Sequence, residues 1–95
     1  MSNRRVRWLR LALRDMDAIM EHIAKDDAAT AHEVASRILQ ACNTLSHSSE
    51  RGRAGRVPGT RELVMVALPY IVAYRVVRDE VHILRVLHHR MQRSS

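Results

Sequence analysis

The sequence predicts an α+β fold, with two antiparallel helices packed on one face of a small, mostly antiparallel sheet in the order β-α-α-β-β-β. Three observations carry that prediction. Apolar residues alternate near the N-terminus, recur at three-and-four spacing from Leu11 to Leu45, and gather into Val-, Ile-, Leu- and Tyr-rich runs after Gly59. The switch from helical to strand periodicity falls at one arginine-rich segment, 52–61. That segment holds Gly52, Gly55 and Gly59, all three glycines of the chain. A short charged segment, Arg78-Asp79-Glu80, then separates two β-rich runs as a hairpin turn would.

Residues 4–9 place Val6 and Trp8 on one side and Arg5 and Arg7 on the other, the period of a half-buried strand. From Leu11, the set Ala12/Leu13, Met16, Ile19/Met20 and Ile23 forms an amphipathic helical stripe. Asp27 is a candidate N-cap for the next helix, with a Thr30/Glu33 capping box as the alternative. That helix shows Ala31, Val34/Ala35, Ile38, Ala41/Cys42 and Leu45 on one face. Residues 46–59 are polar, rich in Gly, Ser and Arg, and read as a loop. Strands are expected over Glu62–Leu68, Tyr70–Val77 and Val81–Leu87, with Pro69 marking an end because it cannot donate to a ladder. Tyr70, Val72, Tyr74 and Val76 share a face, so packing is the default role of both tyrosines.

Ninety-five residues suffice for one domain, expected over 1–95. The apolar share of 46% argues against disorder, and with no Phe, one Trp and two Tyr the core must be aliphatic. No apolar run approaches the ~20 residues of a membrane helix, and the N-terminal residues do not read as a signal peptide. One cysteine, Cys42, excludes an internal disulfide and fits a reducing compartment, so a cytoplasmic location is expected without membrane association. Its place on a helix stripe makes it a small core residue rather than a nucleophile. Of the sixteen basic residues only Lys25 is lysine, and the net charge of +6 predicts an acidic partner, protein or nucleic acid.

Val6-Arg7-Trp8, Ala12-Leu13-Arg14-Asp15-Met16-Asp17-Ala18-Ile19 and Ile23-Ala24 resemble the opening of RelE/ParE-superfamily toxins. Gly55-Arg56, Gly59-Thr60-Arg61-Glu62-Leu63, Pro69 to Val76 and Ile83 to His88 resemble its ParE branch, the plasmid-stabilisation toxins. The resemblance implies a type II toxin–antitoxin toxin, neutralised by an acidic antitoxin whose C-terminal segment wraps it. It implies DNA gyrase as the target in the ParE branch, or ribosome-bound messenger RNA, cut by an endoribonuclease, in the RelE branch. DNA would be contacted only indirectly, through the antitoxin. A third possibility is a degenerate, non-toxic member that acts only in the antitoxin complex.

The ribonuclease branch carries an arginine where this chain has Ile71, and several of its members place lysines in the strand that here reads Glu62-Leu63-Val64-Met65-Val66. The phosphate-stabilising charges of that mechanism are thus missing, which favours binding over catalysis. Candidate target contacts are Arg53 and Arg56 in the loop, Arg61 at the strand entrance, and the basic tail His88, His89, Arg90 and Arg93. Arg61 is also placed to hold Glu62 or another carboxylate. A residual ribonuclease site would draw on Arg61, Glu62, His88, His89 and Arg90. No cofactor is expected. His82 and His88 share strand parity, yet a metal would need further ligands, so no metal site is assigned. The glycine–arginine segment leads into a strand rather than a helix N-terminus, unlike a phosphate cradle.

Overall fold

A computed structural model describes residues 3–89 of the chain. Strand β1 (Arg5–Trp8) leads into helices α1 (Arg10–Ala24) and α2 (Ala28–Thr44). Four strands follow: β2 (Arg53–Ala54), β3 (Arg61–Val64), β4 (Tyr70–Val77) and β5 (Glu80–His88). They form one sheet in the order β1-β5-β4-β3-β2, with β1 parallel to β5 and the other neighbours antiparallel. The α+β class and the order of the expected elements hold. The added two-residue β2 comes from the segment expected to be loop.

Both helices bury the stripes that their periodicity marks. Ala12 and Met16 of α1, and Val34, Ala35, Ile38 and Cys42 of α2, are buried against Leu63, Tyr70, Val72, Tyr74, Val81, Ile83 and Val86 of the sheet, and Ala31 of α2 is buried as well. Val6 and Trp8 pack on the edge of this core while Arg5 and Arg7 stay exposed. Burial pushes the Cys42 thiol up to about 12, so it remains a protonated, inert packing group. Between the helices it is Asp27 that caps: Oδ1 accepts from the Ala29 and Thr30 amides at 2.9 and 3.3 Å, and Oδ2 accepts from the Thr30 hydroxyl at 3.0 Å. The Thr30/Glu33 box is therefore not used, because Thr30 already lies inside the helix.

Helix α1 is fastened to the sheet at one carboxylate. Asp15 accepts from Arg85 Nε at 2.8 Å, Arg85 Nη2 at 3.0 Å and the Val86 amide at 2.9 Å. Strand β1 ends at Trp8, opposite Ile83, so Asp15 satisfies a β5 amide that has run beyond its neighbouring strand. Donating to Asp15 also raises the Arg85 pKa further, fixing the guanidinium as a cation.

Three strand details differ from the alternating pattern. β3 ends at Val64 rather than Leu68, because the Met65 amide donates to the Tyr70 carbonyl at 3.0 Å and closes a loop over 66–69, with Ala67 in the left-handed region at φ 64°. Glu80 belongs to β5 and pairs with Val77, so the turn is Arg78-Asp79 alone. Ala73 pairs with Arg85 but Tyr74 pairs with Ile83, leaving Leu84 as the extra residue of a β-bulge. Val81, Ile83 and Val86 therefore share the core face. The shared parity of His82 and His88 is broken: His82 pairs with Arg75 on the face away from the helices, while His88 pairs with Tyr70 on the helix side.

Tyr74 is fully buried at the centre. Its hydroxyl donates to the Ser49 carbonyl at 2.6 Å and accepts from the Gly52 amide at 2.8 Å, tying the exit of α2 to β4. A Cβ on Gly52 would lie 2.6 Å from that hydroxyl, so the backbone passes where no side chain fits. Desolvation raises the Tyr74 pKa and keeps the proton it donates. Tyr74→Phe should destabilise the fold by about 1–3 kcal/mol, the cost of leaving two buried backbone groups unsatisfied, as read by urea unfolding.

Asp27 gives a pH-dependent expectation. The Thr30 hydroxyl first, then the Thr30 and Ala29 amides, hold its carboxyl below the usual aspartate range. A lowered folded pKa stabilises above the unfolded value and is lost as pH falls through the folded one. Asn caps as well as Asp. Asp27→Asn should therefore leave the neutral-pH unfolding midpoint nearly unchanged and flatten the loss of stability below about pH 4.

Candidate functional site

The face of the sheet away from the helices is where β2 and the 53–60 segment create relief. Alternation puts Leu63 and Val72 toward the core, so Glu62 and Ile71 face the other way. There a cavity of about 310 Å³ is lined by Arg53, Ala54, Gly55, Arg56, Glu62, Ile71 and His89. Its rim is a hairpin: Gly55 donates to the Thr60 carbonyl at 2.8 Å and Thr60 to the Val57 carbonyl at 3.1 Å. Gly59 sits at φ +85°, a conformation that side chains resist.

Glu62 organises the rim. Its carboxylate is buried to 8% side-chain exposure, accepts from Arg53 Nη2 at 3.2 Å and from the Arg56 amide at 3.3 Å. One buried anion thus holds one arginine side chain and the backbone of a second. The Arg53 side chain stays 59% exposed, so the pair presents positive charge to solvent while its negative member is buried. Ile71, 1% exposed, supplies an apolar wall beneath these groups.

The residues expected to act together are spread over three places. Arg53, Arg56 and His89 meet at the cavity with Glu62. Arg61 points elsewhere: its Nη1 donates to the Gly52 carbonyl at 2.8 Å and the Glu50 carbonyl at 3.3 Å, bracing the loop that Tyr74 anchors. Glu62 is held by Arg53, not by Arg61, because Arg61 faces the helix side with its partner Tyr74. His88 packs edge-on against Tyr70, ring centroids 5.5 Å apart, in a groove of about 250 Å³ shared with Asp15, Ile19 and His22 of α1. The adjacent residue His89 is held by its amide on the Pro69 carbonyl at 2.7 Å. Arg90 and Arg93 lie outside the described residues. Among the described residues no cluster of three metal-ligating side chains exists, and no helix is long and apolar enough to cross a membrane.

The sequence pattern missed the Asp15–Arg85 clamp, for which the signal is an arginine interrupting an otherwise apolar strand run. It also missed Arg37 and Arg51, which line a second crevice beside α2.

Residues 6–93 match the family model described as the ParE toxin of the type II toxin–antitoxin system parDE. The chain belongs to the ParE toxin family. It is 46% identical over 92 residues to the putative toxin Y4kP of Sinorhizobium fredii, covering 97% of this chain and 95% of that protein. It is 37% identical over 81 residues to toxin RelE2 of Caulobacter vibrioides, covering 85% and 90%. The fold superposes on a structure of the chromosomal ParDE system of P. aeruginosa with TM-score 0.84 and 28% identity, over 90% of this chain and 95% of that one. The toxin–antitoxin complex RelBE2 of Mycobacterium tuberculosis gives TM-score 0.60 and 27% identity, over 93% of each. The protein is thus a toxin of a type II toxin–antitoxin system, and its sheet carries the arginine-rimmed cavity described above.

Glu62→Gln should weaken the toxin's rim. Loss of the charged acceptor costs about 1.5–3 kcal/mol of local stability. Hydrogen exchange at the Arg56 amide should accelerate, with the core amides of Val72 and Ile83 unaffected.

Proposed function

We propose that this toxin acts by binding rather than by cutting RNA: it inhibits DNA gyrase and is neutralised by a cognate acidic antitoxin. The observation that carries the reading is the buried Ile71 at the wall of the cavity. A ribonuclease of this superfamily would need a phosphate-stabilising cation at that position, and an apolar side chain cannot supply one. The scatter of Arg61, His88 and His89 over separate surfaces supports the same reading, since acid–base catalysis needs its groups within hydrogen-bond reach of one substrate.

The surface that remains fits protein recognition. Exposed arginines set over a small apolar wall are the composition of an interfacial anchor. Arg53, Arg56 and His89 would contact the target, and Arg90 and Arg93 are assigned the same role from the sequence alone. The antitoxin reading rests on the +6 charge and on the relatives, two of which were solved as the ParDE and RelBE2 toxin–antitoxin systems.

Expression without antitoxin tests it. The expected result is filamentation with DNA damage, and inhibition of gyrase supercoiling by the purified toxin. Arg53→Ala with Arg56→Ala should weaken that inhibition by about tenfold or more, as loss of interfacial arginine anchors does. Rapid messenger cleavage at ribosomal A sites would instead establish the endoribonuclease. Absence of any growth effect would point to a member that works only within its antitoxin complex.

A further inference from the structure

The helix-free face of the sheet carries a second basic patch, at the β4–β5 hairpin end and away from the Arg53–Arg56 cavity. On β1 the outward residues are Arg5 and Arg7, since Val6 and Trp8 pack on the core. The register sets Arg7 beside His82 of β5, and His82 beside Arg75 of β4. One row therefore crosses three strands as Arg7, His82, Arg75, and the next reads Arg5, Glu80, Val77. Neighbouring strands lie about 4.8 Å apart, so the backbones of Arg7 and Arg75 are about 10 Å apart, with Arg5 about 7 Å from Arg7. Such spacings fall within a Debye length at about 0.1 M salt, so the three guanidinium groups act as one field.

The arrangement costs the fold stability, because like charges side by side across strands are destabilising. Arg5, Arg7 and Arg75 are all exposed, so packing does not account for them. Glu80 is the one carboxylate of the two rows, with its Oε1 2.7 Å from His82 Nε2 and 3.9 Å from Arg7 Nη1. Arg5 and Arg75 are ion-paired to no carboxylate among the described residues. Three arginines against one glutamate leave the patch positive.

What the patch lacks selects its ligand. Trp8, Tyr70 and Tyr74 are the only Trp, Tyr or Phe of the chain, and all three belong to the core or pack on it. The bases of a single strand would find no such ring to stack on here. Nor does the patch have the apolar centre of a protein interface, as Ile71 gives the cavity; Val77, exposed at its margin, is the one large apolar side chain of the two rows. A flat array of guanidinium groups is matched instead by a duplex backbone, with one negative charge per about 1.7 Å of helix axis.

We propose that Arg5, Arg7 and Arg75 bind the phosphate backbone of duplex DNA directly and without sequence preference. This contact differs from the antitoxin-mediated one that the family resemblance implies. It is independent of the gyrase reading, since the ligand is DNA alone. Phosphate contacts fix position and affinity, while a flat sheet face offers nothing that reaches base edges. The patch and the cavity open on the same face of the sheet, so one orientation of the toxin serves a protein target and DNA bound to it.

The test titrates the purified full-length toxin against a short fluorescent duplex, with anisotropy read across a salt series. Wild-type affinity should fall log-linearly with salt, with a slope of about −0.9 per phosphate held. Arg5→Ala, Arg7→Ala and Arg75→Ala combined should weaken binding about tenfold or more and flatten that slope by about 2.7, equally on an unrelated sequence. Arg10→Ala, Arg14→Ala and Arg37→Ala combined remove the same charge from the helices and should weaken it by about threefold or less. Glu80→Gln removes the opposing carboxylate and should tighten binding about threefold. A misfolded variant cannot imitate that gain, and unfolding midpoints show whether the arginine variants are folded. Equal losses in the sheet-side and helix-side triples would reduce the effect to net charge and overturn the patch. Undetectable duplex binding by the wild type, or tighter binding of single-stranded DNA or RNA than of duplex, would overturn it as well.

Discussion

The placement of the arginine-rimmed cavity in this toxin depends on the Tyr74 hydroxyl. Tyr74 is the largest fully buried side chain, and its one polar atom must be satisfied in the middle of an aliphatic core. The groups that satisfy it, the Ser49 carbonyl and the Gly52 amide, belong to the segment that leaves α2 and becomes β2. That buried hydroxyl thereby dictates where the arginine segment enters the sheet. Arg61 reinforces the same turn from β3 by bonding the Glu50 and Gly52 carbonyls. From that anchored start, two residues of β2 pairing suffice to hang Arg53 and Arg56 over Glu62 and Ile71.

Electrostatics follow a matching plan. The protein is strongly basic, yet its two most consequential carboxylates, Asp15 and Glu62, are both shielded and both multiply bonded. Asp15 joins helix to strand through Arg85 and the Val86 amide. Glu62 joins Arg53 to the Arg56 backbone. Each carboxylate satisfies a main-chain donor and an arginine at once, so each orients a positive group without leaving its own charge exposed. The outward surface keeps its positive sign while local geometry is fixed by one buried and one partly buried anion.

The helices and most strands were legible in the sequence because their apolar residues recur at helical or strand period, and because Asp27, Pro69 and the Arg78-Asp79 pair punctuate them. What periodicity could not show lies where tertiary contacts override it. The run from Glu62 to Leu68 has strand composition throughout, but the Met65–Tyr70 hydrogen bond turns the chain after Val64. Arg53 and Ala54 look like loop, and become a strand only because Tyr74 holds the preceding residues. Arg61 and Arg53 are chemically identical in sequence, yet pairing with Tyr74 of β4 and with Glu62 of β3 sends them to different surfaces. Of the residues marked for target contact, Arg53, Arg56 and His89 converge on one cavity. His88 does not, since the bulge at Leu84 turns it toward α1.

That bulge also governs how this toxin can be compared with its relatives. Side-chain facing along β5 resets at Leu84, so positions counted from the hairpin and positions counted from the C-terminal end obey opposite parity. A relative lacking the extra residue would carry its core and cavity side chains one place earlier from Leu84 onward. An ungapped pairing of the two sequences would then set a packing residue against a surface residue at each position from Arg85 to His88. Matching residues by the face they occupy, rather than by their ordinal place, is what makes His88 and His89 correspond to the right partners in another member of the family.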